Sequence, residues 1–377
     1  MSKNQSMYLL TLSSAFIAMS AFANPVVSQN ELLQQQGLQV RGSVPIKIIL
    51  SNQQPKYIQF MNIVLSKKVA LQLSHNLSEI LSHPAQNNLQ DDNLPASHYV
   101  GMNGEPVLDQ GQWGTCATFA STGAINALYP LLNDASVSQL CNLQLGRTLE
   151  NPDPDGGWNG SLGYLVLGQI AQYGYINMQY QTQSGCGGLT QYPLDGGDNG
   201  QPMSIADFTA HSNHDFSSND YSALWQYDGS FMPITPDQAT TLLTAVKTAL
   251  NAGDRVVFGS IIDVNVDEMD AGALGTYDGV AHDTWVMTPQ IQQDVQNGLT
   301  EGHEIIIDGY DNKACATYQD QDGKNEKQCG LLRIRNSWSA LAGDQGDYYM
   351  SYDHFKGMVV EAYAIGQSAK ANFKSIN

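Results

Sequence analysis

Basic residues are scarce in this chain. Lys and Arg number 17 against 36 Asp and Glu, a net charge of −19 over 377 residues. Such a balance offers no basic face, which excludes nucleic acid and anionic membrane surfaces as partners. Charge of either sign is thin: Asp, Glu, Lys and Arg make up 14%, against roughly 25% in ordinary soluble proteins. Ser, Thr, Asn, Gln and Gly must therefore cover much of the surface, the composition of a secreted protein. The five cysteines (Cys116, Cys141, Cys186, Cys315 and Cys329) form no CxxC pair, which argues against a zinc knuckle or a thioredoxin motif. No metal or other cofactor is expected. No internal repeat is visible, and beyond the first residues no apolar run is long enough to span a bilayer. What is present is a hydrophobic share of 42%, too high for a disordered chain and enough for one large domain or two ordinary ones.

The first 23 residues read as a signal peptide. Lys3 precedes an uncharged run over 7–23, and Ala21-Phe22-Ala23 fits an A-x-A cleavage site, with Asn24 as the new N-terminus. A membrane anchor is the competing reading. The run is short, is broken by Thr11, Ser13 and Ser14, and lacks a positive stop-transfer flank. The expected product is secreted, or periplasmic before export, with no membrane contact after signal removal. In an oxidising compartment disulfides persist, and five cysteines leave one thiol unpaired.

Residues 24–100 hold neither cysteine nor tryptophan. The β-rich runs 44–50 and 57–65, separated by Asn52-Gln-Gln-Pro55, predict a hairpin. Val69, Leu73, Leu77 and Leu81 recur at four-residue steps and predict a short amphipathic helix over 67–81. A polar linker follows over 83–97, open to a processing protease. Residues 101–230 carry helical patterns, one beginning at Cys116 and another over 162–173 that stops at Gly174. The stretch 187–236 is rich in Gly, Ser, Asn and Asp and reads as an insertion without elements of its own. Residues 231–377 open with a helix over 237–250 and then turn to β patterns at 256–262, 304–308, 331–335 and 348–352. Helices before strands imply an α+β fold of two lobes with a cleft between them.

Gln110-Gly-Gln-Trp-Gly-Thr-Cys116 opens the first helix of the helical lobe. A cysteine there has its thiolate stabilised by the helix dipole and by free backbone N–H groups. The amide of Gln110, six positions earlier across a glycine-bearing loop, can fold back beside the sulfur. With the Cys116 N–H it would make an oxyanion-hole pair. The segment resembles the active-site signature of the papain-like (cathepsin-like) cysteine proteases, in a secreted, bacterial-type form. Further landmarks follow in order. Val137-Ser-Gln-Leu-Cys141 is similar to that family's Ser-Gln-Leu-Cys stretch. Gly156-Gly157-Trp158 resembles its Gly-Gly substrate-binding turn, and Gln172-Tyr-Gly-Tyr-Ile176 the end of the next helix. Gly302-His-Glu-Ile-Ile-Ile-Asp-Gly-Tyr310 resembles the catalytic-histidine strand, and Arg335-Asn-Ser-Trp338 the Asn-Ser-Trp segment.

The resemblance spans residues 101 to about 365 and implies a two-lobe fold, with the cysteine on the helical lobe and the histidine and asparagine on a β-barrel-like lobe. It implies Cys116 as nucleophile, His303 as partner base, Asn336 holding the imidazole, Trp338 shielding that bond, and Gly156 and Gly157 pairing with a peptide backbone. It also implies a Cys141–Cys186 bridge. His303–Asn336 spans 33 residues, longer than the family usually has, and the excess holds Cys315 and Cys329, which would close a hairpin tip. Three positions depart from the pattern: Trp113 where a bridging cysteine is usual, Ala117 after the nucleophile, and Ser339 where glycine is common. The N-terminal segment lacks a long helical prodomain pattern, yet it precedes the family-like body directly, so an atypical inhibitory pro-segment and a zymogen are expected. The substrates implied are proteins or peptides, acted on by a monomer. An inactive papain-fold binding protein and an amidase or transferase with the same trio remain the alternatives.

Overall fold

The computed structural model describes residues 37–84, 93–131, 133–227, 231–265 and 271–366. The signal-peptide reading of residues 1–23 lies outside them, as does most of the expected linker. The described part belongs to one unit, which opens with two strands and a helix, continues mainly helical to residue 210 and is mainly strands from residue 255 onward.

The N-terminal runs form an antiparallel hairpin of β1 (Leu38–Ile49) and β2 (Pro55–Leu65), in register at Ile46–Ile58 and Ile48–Lys56. A hairpin this small cannot bury its own apolar face. Ile46, Ile48, Leu50, Ile58 and Phe60 instead enter the main core beside Phe258, Ile305, Trp338 and Tyr348. Helix α1 (Lys67–Ser82) follows, capped by Ser66, whose hydroxyl accepts from the Val69 N–H. Its buried stripe is Val69, Leu73, Leu77 and Ile80; Leu81, expected to complete it, is only partly covered. Asn76 Nδ2 donates to the Ile234 carbonyl at 2.7 Å and ties this helix to the body.

After the short strand β3 (Ser97–Tyr99) come α2 (Cys116–Leu128), α3 (Gln139–Leu149), α4 (Gly163–Tyr173), α5 (Met178–Ser184) and α6 (Ile205–Ala210). Residues 116–127 of α2 are buried on every side, as expected of a helix inside the protein rather than on it. Its small residues permit the close approach: a Cβ on Gly123 would stand 3.3 Å from Ile306 Cδ1. Helix α4 stops at Gly174, whose φ of +76° favours glycine and whose missing side chain makes room for the Asn213 carbonyl. The stretch 187–236 is not the featureless insertion its composition implies. It contributes α6 and β4 (Tyr221–Trp225), and β4 gains its place by pairing with the last strand of the chain, a long-range contact that the polarity of the flanking residues conceals.

Helix α7 (Pro236–Asn251) begins with a capping box between Thr235 and Gln238 and leads into β5 (Arg255–Ile262), which is buried throughout. Then come β6 (Gly275–Tyr277), β7 (Val280–Trp285), α8 (Pro289–Asn297), β8 (Glu301–Gln319), β9 (Asn325–Arg335), β10 (Asp347–Ser351), α9 (Tyr352–Met358) and β11 (Val359–Ile365). The sheet runs β4–β11–β5–β8–β6–β7–β10–β9, and β9 pairs back onto β8. That return closes β8, β6, β7, β10 and β9 into a ring, the barrel-like part of the fold. No helix among the described residues is long and apolar enough to cross a membrane.

The structure joins Cys141 to Cys186 and Cys315 to Cys329 and leaves Cys116 free and buried. The second bridge crosses the β8–β9 pair at directly opposed positions. Peptide mapping without reduction is expected to return these two bridges alone; a bridge containing Cys116 would remove the nucleophile. At Trp113, where the resemblance lacks its usual cysteine, the indole packs edge-on against Trp158 with ring centroids 4.8 Å apart, and its Nε1 donates to the Pro193 carbonyl at 2.6 Å. Trp158 in turn stacks on Tyr192. Trp158→Ala is therefore expected to cost about 3–5 kcal/mol of stability, read as a fall in the denaturant midpoint. A loss below about 1 kcal/mol would mean that the aromatic cluster does not take the missing bridge's place.

Candidate active site

Cys116 is the first residue of α2, so its sulfur sits where the unpaired N–H groups of the helix end point. The N–H groups of Cys116 and Ala117 reach it, as does that of Glu304, which places the thiol against the start of β8. His303, on that strand, directs Nε2 to Asn336 Oδ1 at 2.9 Å. The same oxygen accepts from the Ser337 N–H at 2.8 Å. An oxygen that accepts twice requires the proton on Nε2, which leaves Nδ1 of the neutral ring as the basic lone pair. That Nδ1 is buried and has no hydrogen-bond partner. Trp338 stacks on the imidazole at 4.8 Å and 21°, and both rings are fully buried. Ser339, next in the chain, has φ +77°, which explains why glycine suits that position.

Gln110 is tied into the same network. Its backbone N–H donates to the Ser337 carbonyl at 2.9 Å, and its Oε1 accepts from Ser337 Oγ at 2.7 Å. These bonds fix which end of the amide is the donor. Nε2 points to the Trp113 carbonyl at 2.9 Å and to the Gln59 carbonyl of β2 at 3.2 Å. Ser337 thus links Gln110 to Asn336. Sequence reasoning missed it, although it lies between two residues singled out for their roles.

Strand β2 lies across this constellation. Phe60 meets His303 edge-on at 5.1 Å and Trp338 at 5.5 Å. Met61 pairs with Gly302 of β8, and a Cβ on Gly302 would stand 2.8 Å from Ile63 Cγ2. Lys56 Nζ anchors the strand, 2.5 Å from Asp109 Oδ1 and 3.0 Å from the Trp338 carbonyl. Cys116 and His303 are both fully buried.

Gly156 and Gly157 take no part in this contact. Gly156, at φ +65°, packs against the backbone of Gly146 and Arg147 in α3, and Gly157 faces Ser161 and Leu143. The hairpin meets the residues just beyond: Ser43 Oγ lies 3.4 Å from Asn159 Oδ1, and a Cβ on Gly160 would strike Val40. The Gly-Gly pair makes a tight turn against α3, and the hairpin meets Asn159 and Gly160. The Asn-Gly dipeptide, itself a turn signal, was the available clue.

Burial sets the protonation state. It pushes the Cys116 thiol up to about 12, with the nearby Glu304 carboxylate adding to the rise. Burial also draws His303 down to about 4, against the opposing pull of its bond to Asn336. At neutral pH the pair therefore stands as thiol and neutral imidazole. At pH 8 a thiol with that pKa is ionised in roughly one part in 10⁴. Iodoacetamide is accordingly expected to label Cys116 of the intact chain slowly at pH 8, faster by about tenfold for each pH unit above that until the pKa is reached. Fast labelling at pH 7 without prior cleavage would show that the hairpin does not seal the thiol.

No family model matches the sequence, and no curated protein matches it. Among solved structures, xylellain, a cysteine protease from Xylella fastidiosa, is 16% identical over 72% of this chain and 86% of its own, at a TM-score of 0.45. The bromelain protease from Ananas comosus is 14% identical over 72% of this chain and 98% of its own, at 0.41. A digestive procathepsin L of Tenebrio molitor larval midgut is 16% identical over 79% of this chain and 91% of its own, at 0.40.

Proposed function

We propose that this chain is a secreted papain-like cysteine peptidase made as a zymogen, with the N-terminal hairpin as its inhibitory element. The observation that carries the peptidase reading is the His303–Asn336 bond of 2.9 Å beneath Trp338, next to a free cysteine at a helix N-terminus. In this reading Cys116 attacks the peptide carbonyl after passing its proton to His303 Nδ1. The imidazolium protonates the leaving amine, and the neutral ring then activates water to release the acyl group. Asn336 holds the ring through both steps. The Gln110 amide and the Cys116 N–H stabilise the oxyanion.

Latency is supported by what the hairpin occupies. The Gln59 carbonyl takes the Gln110 donor that a substrate oxyanion would use, and Phe60 covers the imidazole. Removal of the hairpin would rehydrate the pair and let it relax toward thiolate and imidazolium, the nucleophilic form. A thiol-reactive label on Cys116, combined with a panel of peptide substrates, tests the reading. A labelled enzyme that loses all peptide turnover supports it. Labelling without any turnover of peptides before or after cleavage between residues 81 and 101 would leave a binding protein.

A further inference from the structure

The stretch 187–236, whose composition implies an insertion, lays one short segment against the loop that leads to the nucleophile. Residues 192–194 run beside residues 110–116. Tyr192 Oη donates to the Gln110 carbonyl at 3.0 Å and lies 2.9 Å from Thr115 Oγ1. Trp113 Nε1 donates to the Pro193 carbonyl at 2.6 Å, and the Gln112 N–H to the Leu194 carbonyl at 2.9 Å. Glycine permits this approach at residue 111: its φ is +58°, and a Cβ there would stand 2.1 Å from the Leu194 oxygen.

The Tyr192 hydroxyl reaches both ends of the loop. A phenol carries one proton, and the Gln110 carbonyl can only accept. Tyr192 therefore donates to Gln110 and accepts from the Thr115 hydroxyl. Thr115 stands at the N-cap of α2 without a side-chain cap bond; its hydroxyl is directed to Tyr192. Desolvation raises the phenol above its usual 10.0, so it remains a donor at neutral pH. The ring is seated independently of the hydroxyl, stacked on Trp158 at 5.5 Å and 10° and edge-on to Phe119 at 5.1 Å.

Gln110 carries one oxyanion donor on its side chain, and Cys116, next to Thr115, carries the other on its backbone. An oxyanion hole works only while both donors reach the same developing oxygen. A displacement of about 1 Å costs about 10²-fold in rate. Two of the four residues between Gln110 and Thr115 are glycine, so the loop does not fix that spacing by its own stiffness. Both backbone groups of Gln110 are held by the body, the N–H by the Ser337 carbonyl and the carbonyl by Tyr192. When the hairpin leaves, the Gln59 carbonyl goes with it, and these bonds remain to aim the amide.

We propose that Tyr192 is a positioning residue for the oxyanion hole: its hydroxyl, bonded to Gln110 and Thr115 together, fixes the spacing between the Gln110 amide and the Cys116 N–H. This rests on the peptidase reading and deepens it.

Tyr192→Phe keeps the ring and removes both bonds. Thr115→Val keeps the shape of that side chain and removes one, and it carries the same test should Tyr192→Phe fail to fold. Chain cleaved between residues 81 and 101 is measured for peptide kcat, for KM, and for labelling of Cys116 by iodoacetamide, a displacement that forms no oxyanion. Tyr192→Phe is expected to lower kcat at least about tenfold, and Thr115→Val at least about threefold. KM and the labelling rate should stay within about twofold of the unsubstituted cleaved chain. In a Gln110→Ala background Tyr192→Phe should cost less than about a further twofold, because the amide it aims is gone. A kcat loss below about threefold in either variant overturns the proposal. So does a labelling rate that falls in step with kcat, which would mean that Tyr192 only holds Cys116 and α2 in place, or an undiminished loss in the Gln110→Ala background. These outcomes overturn the proposal alone, whereas an unsubstituted cleaved chain that is labelled at Cys116 yet turns over no peptide overturns the peptidase reading with it.

Discussion

Cys116→Ala is expected to lower peptide turnover roughly 10⁴-fold or more while leaving the thermal midpoint close to that of the unsubstituted chain. The substitution removes only the sulfur of a residue whose neighbours on α2 are themselves small and packed. His303→Ala should fall nearly as far, because the thiol then has no acceptor for its proton. Asn336→Ala should be milder, about 10²-fold, since it lets the ring swing rather than removing a reacting atom. The three losses should not add: with Cys116 gone, a second substitution has little left to remove. Turnover by Cys116→Ala within tenfold of the unsubstituted chain would refute the nucleophile.

Displacing the hairpin is expected to have the opposite effect. Chain cleaved between residues 81 and 101 should turn over a fluorogenic peptide at least about 10²-fold faster than intact chain after signal removal, and the freed segment added back should inhibit it. Within the intact chain the contacts predict a gradient. Phe60→Ala removes a fully buried ring from His303 and Trp338, worth about 3–5 kcal/mol. It should speed Cys116 labelling by about 10²-fold or more. Lys56→Ala removes an ion pair that is partly exposed on both sides, worth about 1 kcal/mol or less, and should speed labelling only a few-fold. Equal activity of intact and cleaved chain, with no inhibition by the freed segment, would make β1, β2 and α1 a permanent part of the enzyme.

Much of the helical part was legible from the chain alone, because its signals are local. Cys116 at a helix start, Gly174 at a helix end, and Asp237 in the first turn of the helix read over 237–250 each act within a few residues of where they stand. The hairpin and α1 were legible for the same reason: alternation and a four-residue period are written in the segment itself. The strand β4 was not, because a five-residue run set in a stretch rich in Gly, Ser, Asn and Asp becomes a strand only when β11 supplies its partner. Residues 156 and 157 show the same limit from the other side. Two glycines predict a turn, and only the tertiary structure decides that it packs on α3 while the hairpin meets the neighbouring Asn159 and Gly160.

By itself the sequence carried the order of the candidate groups, a cysteine at a helix start, a histidine on an apolar strand and an Asn-Ser-Trp segment, and the family resemblance rather than residue type singled them out among five cysteines and eight histidines. It also determined a segment too small to bury its own apolar face, which therefore had to pack elsewhere. The tertiary structure alone decided where that segment lands. The direction of the Gln110 amide, the Gln59 carbonyl in front of it, the ring of Phe60 on His303 and the bond of Tyr192 to Gln110 all join residues far apart in the chain. Contacts of this kind depend on how whole strands are registered against one another, and a period read along one strand carries no information about its partner.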